Sequence, residues 1–102
     1  MRIVWSPTSQ RKIDEIVDYI SKDNVDAALA LVEEFEKRVQ HLKKHPRSGQ
    51  MVPALYDEMV RQLVVQSNYL IIYEINQDHI DILTIRHAKQ DEDESDIKPP
   101  KK

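Results

Sequence analysis

At 102 residues, with no cysteine and a formal charge of −3, the chain is one small domain that needs neither a disulfide nor a thiolate-bound metal. Its opening, MRIVWSPTSQ, has too short an apolar run for a secretion signal, and the longest apolar run, Ala27 to Val32, falls far below a membrane span, so a soluble cytoplasmic protein is expected. Residues 91–102 carry five acids against three lysines, and residues 1–90 carry 12 basic against 13 acidic side chains, which excludes a general basic excess for gripping nucleic acid and leaves only a local patch.

Arg2 to Trp5 reads as a short strand with Ile3 and Trp5 on one face. Ser6-Pro7 then gives a helix start, Ser6 as N-cap and Pro7 at the first helical position. Ile13, Ile16, Val17 and Ile20 follow at amphipathic spacing, with Tyr19 at the edge of the stripe and an end near Lys22. Asp23-Asn24 caps a second helix running from about Val25 to Lys44. Its apolar stripe is Ala28, Leu31, Phe35, Val39 and Leu42. Neither helix buries its stripe alone, so the pair is expected as a hairpin laid on one face of a sheet. Pro46 stops the second helix. Gly49, the only glycine, is expected at positive φ. Met51 to Leu55 reads as a short irregular or extended segment.

Three strands fill Arg61 to His87: Val60–Val65, Tyr69–Ile75 and about Ile80–Ile85. All are rich in β-branched and aromatic residues. The links Gln66-Ser67-Asn68 and Asn76-Gln77-Asp78 are too short for parallel crossovers, so the strands form an antiparallel meander. In the middle strand Tyr69, Ile71, Tyr73 and Ile75 share one face, and Leu70, Ile72 and Glu74 the other. With both faces largely apolar, the second is expected to be covered by the tail, a partner chain or both. The fold class is α+β, ordered β-α-α-β-β-β, with a helical hairpin on one face of a small, mainly antiparallel, four-stranded sheet. Residues 1–90 form the domain, and 91–102 an acidic tail expected to be disordered when free.

Few residues offer chemistry. Arg61 and Arg86 stand in strands where apolar residues are the default, and such a pair can fork a phosphate or carboxylate. The competing reading is two strand-end arginines with their heads in water. His87 is a natural acid or base. A metal-free cleavage of RNA would need cations, a base and an acid, types that Arg61, Arg86, His87 and Tyr73 or Lys89 supply. Arg86 and His87 point to opposite faces unless the strand ends or bulges there. A structural histidine is the stronger reading on that geometry. His41 and His45 have metal-compatible spacing but no third ligand, so no metal and no cofactor are expected.

The segments DYISKDNVDAA, LKKHPRSGQ, VRQLVV, NYLIIYEI and IDILTIRHAKQD, in that order, resemble the ParE branch of the RelE/ParE toxin superfamily over residues 3 to 91. The resemblance implies the same β-α-α-β-β-β fold, a bacterial type II toxin and a cognate antitoxin with which it assembles. It also implies one of two targets. ParE-type toxins poison DNA gyrase without a catalytic site, whereas RelE-type toxins cut messenger RNA on the ribosome. Arg61 and Arg86 fall where the ribonuclease branch has phosphate-binding arginines, and His87 near its acid or base. Glu58, Gln62, Ala88 and the net charge of −3 depart from that branch's basic pattern. The expectation is therefore a gyrase poison, with Arg61, Arg86, His87 and Lys89 as target-binding residues. The alternatives are a metal-independent endoribonuclease and an inactive interaction module that keeps the fold. For the antitoxin, Tyr19 and Phe35 are the candidate contacts. The alternative for both is plain core.

Overall fold

The computed structural model describes residues 1–53 and 55–88. The chain opens with β1 (Arg2–Trp5), α1 (Pro7–Ser21) and α2 (Val25–His41), then a single 3-10 turn over Pro46–Ser48. The sheet is completed by β2 (Gln50–Met51), β3 (Val60–Val65), β4 (Tyr69–Ile75) and β5 (His79–His87). The strand order is β1-β5-β4-β3-β2. β1 runs parallel to β5 and every other pairing is antiparallel. The expected four strands are thus five, because Gln50 and Met51 pair with Gln62 and Arg61. Two residues flanked by Pro53 carry little strand pattern, so only their position beside β3 defines them.

Ser6 starts α1 as its sequence requires. Its hydroxyl oxygen accepts from the Ser9 amide at 3.0 Å, and Pro7 occupies the first helical position. Asn24 caps α2 through Oδ1 to the Ala27 amide at 3.0 Å. α2 ends at His41 with Leu42 as C-cap, short of the expected Lys44. The residues to Lys44 continue only as turns before Pro46, whose ring cannot extend the helix.

The two stripes meet the sheet as expected. Leu31, Phe35, Val39 and Leu42 of the hairpin are buried with Leu63, Val65, Ile71, Tyr73, Ile80, Ile82 and Ile85. Ile3, Trp5, Ile13, Ile16 and Ile20 pack around them. Burying each such large apolar side chain contributes about 1.5–3 kcal/mol, so this layer dominates the stability. On the other face Val52, Val60 and Ile72 form a second cluster with Leu55, Leu70 and Leu83 against it. Val52 and Leu55, from the segment following β2, supply part of the cover there, and the expected tail cover falls on residues outside those described. Tail residues 91–102, Lys89 and Gln90 lie outside the described residues.

A bulge breaks the β4–β5 register. Tyr73 pairs with Ile82 and Ile72 with Thr84, leaving Leu83 unmatched. The extra residue reverses which parity of β5 faces the helices. Ile80 and Ile82 face them before the bulge, and Ile85 after it. The Ser6 amide donates to Ile82 O at 3.1 Å, and the Ser6 hydroxyl donates to Leu83 O at 2.9 Å. One serine therefore caps α1 and anchors the bulge.

Candidate functional site

Two of the residues named for the ribonuclease alternative, Arg61 and Tyr73, are engaged in holding the fold. Arg61 pairs with Tyr73 and shares the helix-packed face of β3 with Leu63 and Val65. Its Nε donates to Glu58 O and its Nη1 to Gly49 O, both at 2.9 Å. Tyr73 is fully buried. Its hydroxyl donates to Pro46 O at 2.6 Å and accepts from the Gly49 amide at 3.0 Å. Burial raises the phenol pKa, outweighing the opposing pull of the Gly49 amide and the Arg61 charge. Tyr73 thus keeps its proton at neutral pH and is closed off from solvent, which weighs against the role that the ribonuclease alternative would give it. Together Arg61 and Tyr73 lock the 46–49 turn onto the sheet.

Gly49 explains the lock. It lies at φ −78 and ψ 164, ordinary extended backbone, so the expected positive φ is wrong. A Cβ there would fall 2.7 Å from Gln62 O and 2.7 Å from the Tyr73 hydroxyl. Glycine is required because two groups press against its Cα. The left-handed conformations belong instead to Tyr56 and to Gln66 and Ser67 in the β3–β4 turn, with φ of 54, 53 and 63.

The two arginines do not converge. Arg86 pairs with Leu70, on the sheet face opposite Arg61. Leu70 and Tyr73 are three residues apart on β4, or about 10 Å. His87 pairs with Tyr69, back on the helix side, so Arg86 and His87 diverge. The bulge that could have aligned them occurs earlier, at Leu83, and the register is regular again where they sit.

His87 does take part in a surface feature. Its ring meets Tyr69 edge-on, with centroids 5.4 Å apart, and Tyr69 meets Phe35 in the same way at 5.7 Å. Tyr69, Ile85 and His87 line a groove of about 420 Å³ against Lys12, Ile16 and Tyr19 of α1. Tyr19 is 76% exposed, and Val25 and Leu29 of α2 are also exposed. Phe35 has no exposed surface. For Phe35 the core reading holds, since its position on the α2 stripe points it at the sheet. It reaches the groove only by backing Tyr69.

Two features carried no expectation from the sequence, and a third was marked only by its spacing. His79 lies between two carboxylates, with Nδ1 2.7 Å from Asp78 and Nε2 3.3 Å from Asp81. The Asp78 contact is the main cause of its raised pKa, and the same contact holds the Asp78 carboxyl below its usual range. His41 and His45, singled out by their spacing, stack with centroids 4.6 Å apart at 28°. They line a depression of about 1000 Å³ between Met1, the Pro46–Ser48 turn and the end of β4. Finally, no acidic residue occurs from Lys37 to Tyr56, in a chain with 18 acids. That signal was present in the sequence.

A helical hairpin on one face of a small, mainly antiparallel sheet, with β1 parallel to the last strand, is a RelE/ParE-like fold. Residues 3–92 match the family described as the ParE toxin of type II toxin-antitoxin system, parDE. The chain belongs to this ParE toxin family. It is 36% identical over 89 residues to Y4kP of Sinorhizobium fredii, whose given name marks it as an inferred toxin. That alignment covers 87% of this chain and 90% of the relative. Among solved structures, one titled as the chromosomal ParDE TA system from P. aeruginosa superposes with a TM-score of 0.71 at 22% identity. It covers 87% of this chain and 97% of the other. A conserved protein of Helicobacter pylori gives 0.54 at 12% identity, covering 88% and 97%. At those identities the structures speak for the fold alone, while the family match and Y4kP make the chain a toxin of the ParE/RelE superfamily. Such membership implies a cognate antitoxin.

Proposed function

We propose that this toxin acts as a poison of DNA gyrase in the bacterial cytoplasm, by binding and without catalysis of its own, and that its antitoxin silences it. The observation that carries this reading is the fate of Arg61 and Tyr73. A metal-free ribonuclease needs cations, an acid and a base around one phosphate. Here Arg61 is committed to the carbonyls of Gly49 and Glu58, Tyr73 is buried, and Arg86 stands on the other face of the sheet. A binding surface tolerates such dispersal and a phosphoryl-transfer site does not. Arg86, His87 and Lys89 then belong to the end of the molecule that meets the target, and Arg61 shapes the loop beside β3.

The test is supercoiling by purified gyrase with and without the protein, scored for trapped cleavage complexes. Cleaved DNA accumulating with toxin concentration supports the proposal. Ribosome-dependent cleavage of messenger RNA, with gyrase unaffected, overturns it. Normal growth of an antitoxin-free host containing soluble, folded protein would instead make the chain an inactive interaction module.

For the antitoxin, the groove between α1 and the end of β5 is the proposed seat of an apolar helix face, with Tyr19 as its exposed aromatic rim. The toxin is then held in an oligomer with its antitoxin.

A further inference from the structure

The chain divides its charge sharply. The acid-free run from Lys37 to Tyr56 holds five of the 15 basic residues, Lys37, Arg38, Lys43, Lys44 and Arg47, together with His41 and His45. All 18 acids lie outside it, so the run is +5 and the remainder, with ten basic residues, is −8. The fold gathers the run at one end of the molecule. Lys37, Arg38 and His41 border one depression with Glu34 and Ser48, and His41, His45 and Arg47 border the next with Asp57 and Glu74, while Lys43 and Lys44 stand exposed beside them. His41 thus joins the two. The terminal ammonium of Met1 is drawn to the same place, 3.4 Å from Lys43 O. Lys37, His41, Lys43, Lys44, His45 and Arg47 are all exposed.

Compensation of the α2 dipole accounts for part of this, since cations suit a helix C-terminus. That effect fades within the last turn and does not reach Arg47, which lies beyond Pro46 in the following 3-10 turn. The contact of Arg47 with Glu58 at 3.5 Å is an exposed pair, 54% and 71% accessible, of the kind that contributes little. The Arg47 guanidinium therefore keeps donors with which to fork a phosphate.

We infer that the C-terminal end of α2 and the Pro46–Ser48 turn form a docking face for the phosphate backbone of nucleic acid. Its exposed basic side chains, Lys43, Lys44 and Arg47 foremost, seat the toxin on DNA. This rests on the gyrase reading for its biological setting, because gyrase presents the toxin with a bound duplex. The binding itself is measurable without gyrase. Lys and Arg contacts to phosphates act through counterion release, so they set affinity and salt dependence and carry no sequence information.

The test is fluorescence anisotropy of a labelled 30-base-pair duplex with the full chain, over a range of salt concentrations. Saturable binding that weakens with salt is expected, with a log–log slope of roughly −3 to −4 for about four phosphates engaged. The triple variant Lys43→Gln/Lys44→Gln/Arg47→Gln should lose at least tenfold in affinity and about two to three units of slope, with an unchanged melting temperature. The control Arg11→Gln/Lys22→Gln, which alters exposed cations on α1 and its C-cap, should bind as the parent does. Equal loss in the control overturns the location. No salt-dependent binding by the parent overturns the inference, as does a polyglutamate peptide that outcompetes DNA, since the face would then suit an acidic protein. Cleavage complexes trapped by a parent that binds no DNA would leave the gyrase reading standing without this face. DNA binding without trapping would do the reverse.

Discussion

Tyr73 illustrates how a polar atom in a strand pattern misleads. Its alternation with Ile71 and Ile75 correctly places it on the buried face, yet its hydroxyl invites a chemical role. What the hydroxyl does is satisfy Pro46 O and the Gly49 amide where water cannot reach. Tyr73→Phe should therefore cost about 1–3 kcal/mol by stranding both groups. Urea denaturation with an unchanged slope would show it, and a loss of toxicity without a loss of stability would restore a functional role to the hydroxyl. His79 carries a pH dependence. Both ring nitrogens face carboxylates, so only the imidazolium can donate to Asp78 and Asp81 together. Its folded-state pKa is raised above the ordinary 6.5, so its contribution is fully present below that value and fades as the pH rises through the raised one. The Asp78 carboxyl is depressed below 3.8, so its share is present above that value and lost as the pH falls through the depressed one. Melting temperatures of the parent and His79→Gln should differ most between those limits and converge in alkaline solution. A constant difference at every pH would deny the charge any part. Residue chemistry of this sort was only partly legible. His41 and His45 stood out by spacing alone, but the partners of His79 depend on the geometry of the β4–β5 turn.

At the scale of elements, pattern and cap chemistry carried most of the information. Ser6-Pro7 and Asn24 start the helices where expected, and β3 and β4 have the bounds their β-branched runs define. These features are local: a cap needs three residues and a strand its own alternation. The bulge at Leu83 is not local, since it is bonded by Ser6, whose hydroxyl lies 77 residues away in sequence from its acceptor. Ser6 thereby couples the start of α1 to the register of β5. Ser6→Ala should lose about 1–2 kcal/mol, the ordinary cost of a cap, and a further ~1 kcal/mol for the carbonyl it leaves. Amide exchange should then quicken in α1 and around Leu83 together. Faster exchange confined to α1 would show that the bulge stands without Ser6.

Over the whole molecule, the helical hairpin and one sheet face make a continuous core, and the segment after β2 covers part of the other face. Among the described residues, the regions proposed for partners are the groove between α1 and the end of β5, the basic end of α2, and the surroundings of Arg86. If the groove seats the antitoxin, Tyr19→Ala should weaken its binding about tenfold or more while leaving the melting temperature nearly unchanged, because the side chain is 76% exposed. Intact affinity in a folded Tyr19→Ala protein would move the antitoxin elsewhere. Phe35 offers no such test, because removing a buried phenylalanine costs about 3–5 kcal/mol whatever the partner does.

The sequence by itself determined the order of the main elements, the core stripe of α2, the two faces of β4 and the family resemblance. Periodicity and capping act over a few residues, and those are written along the chain. The tertiary structure alone decided that β2 pairs at all, that Gly49 is pressed between Gln62 and Tyr73, and that Arg61 closes a loop. It also decided that the bulge falls at Leu83, ahead of Arg86 and His87, so that the divergence expected from strand alternation stands. Each of these depends on atoms brought together from distant positions, so it is fixed by the packing of the sheet and not by any local pattern.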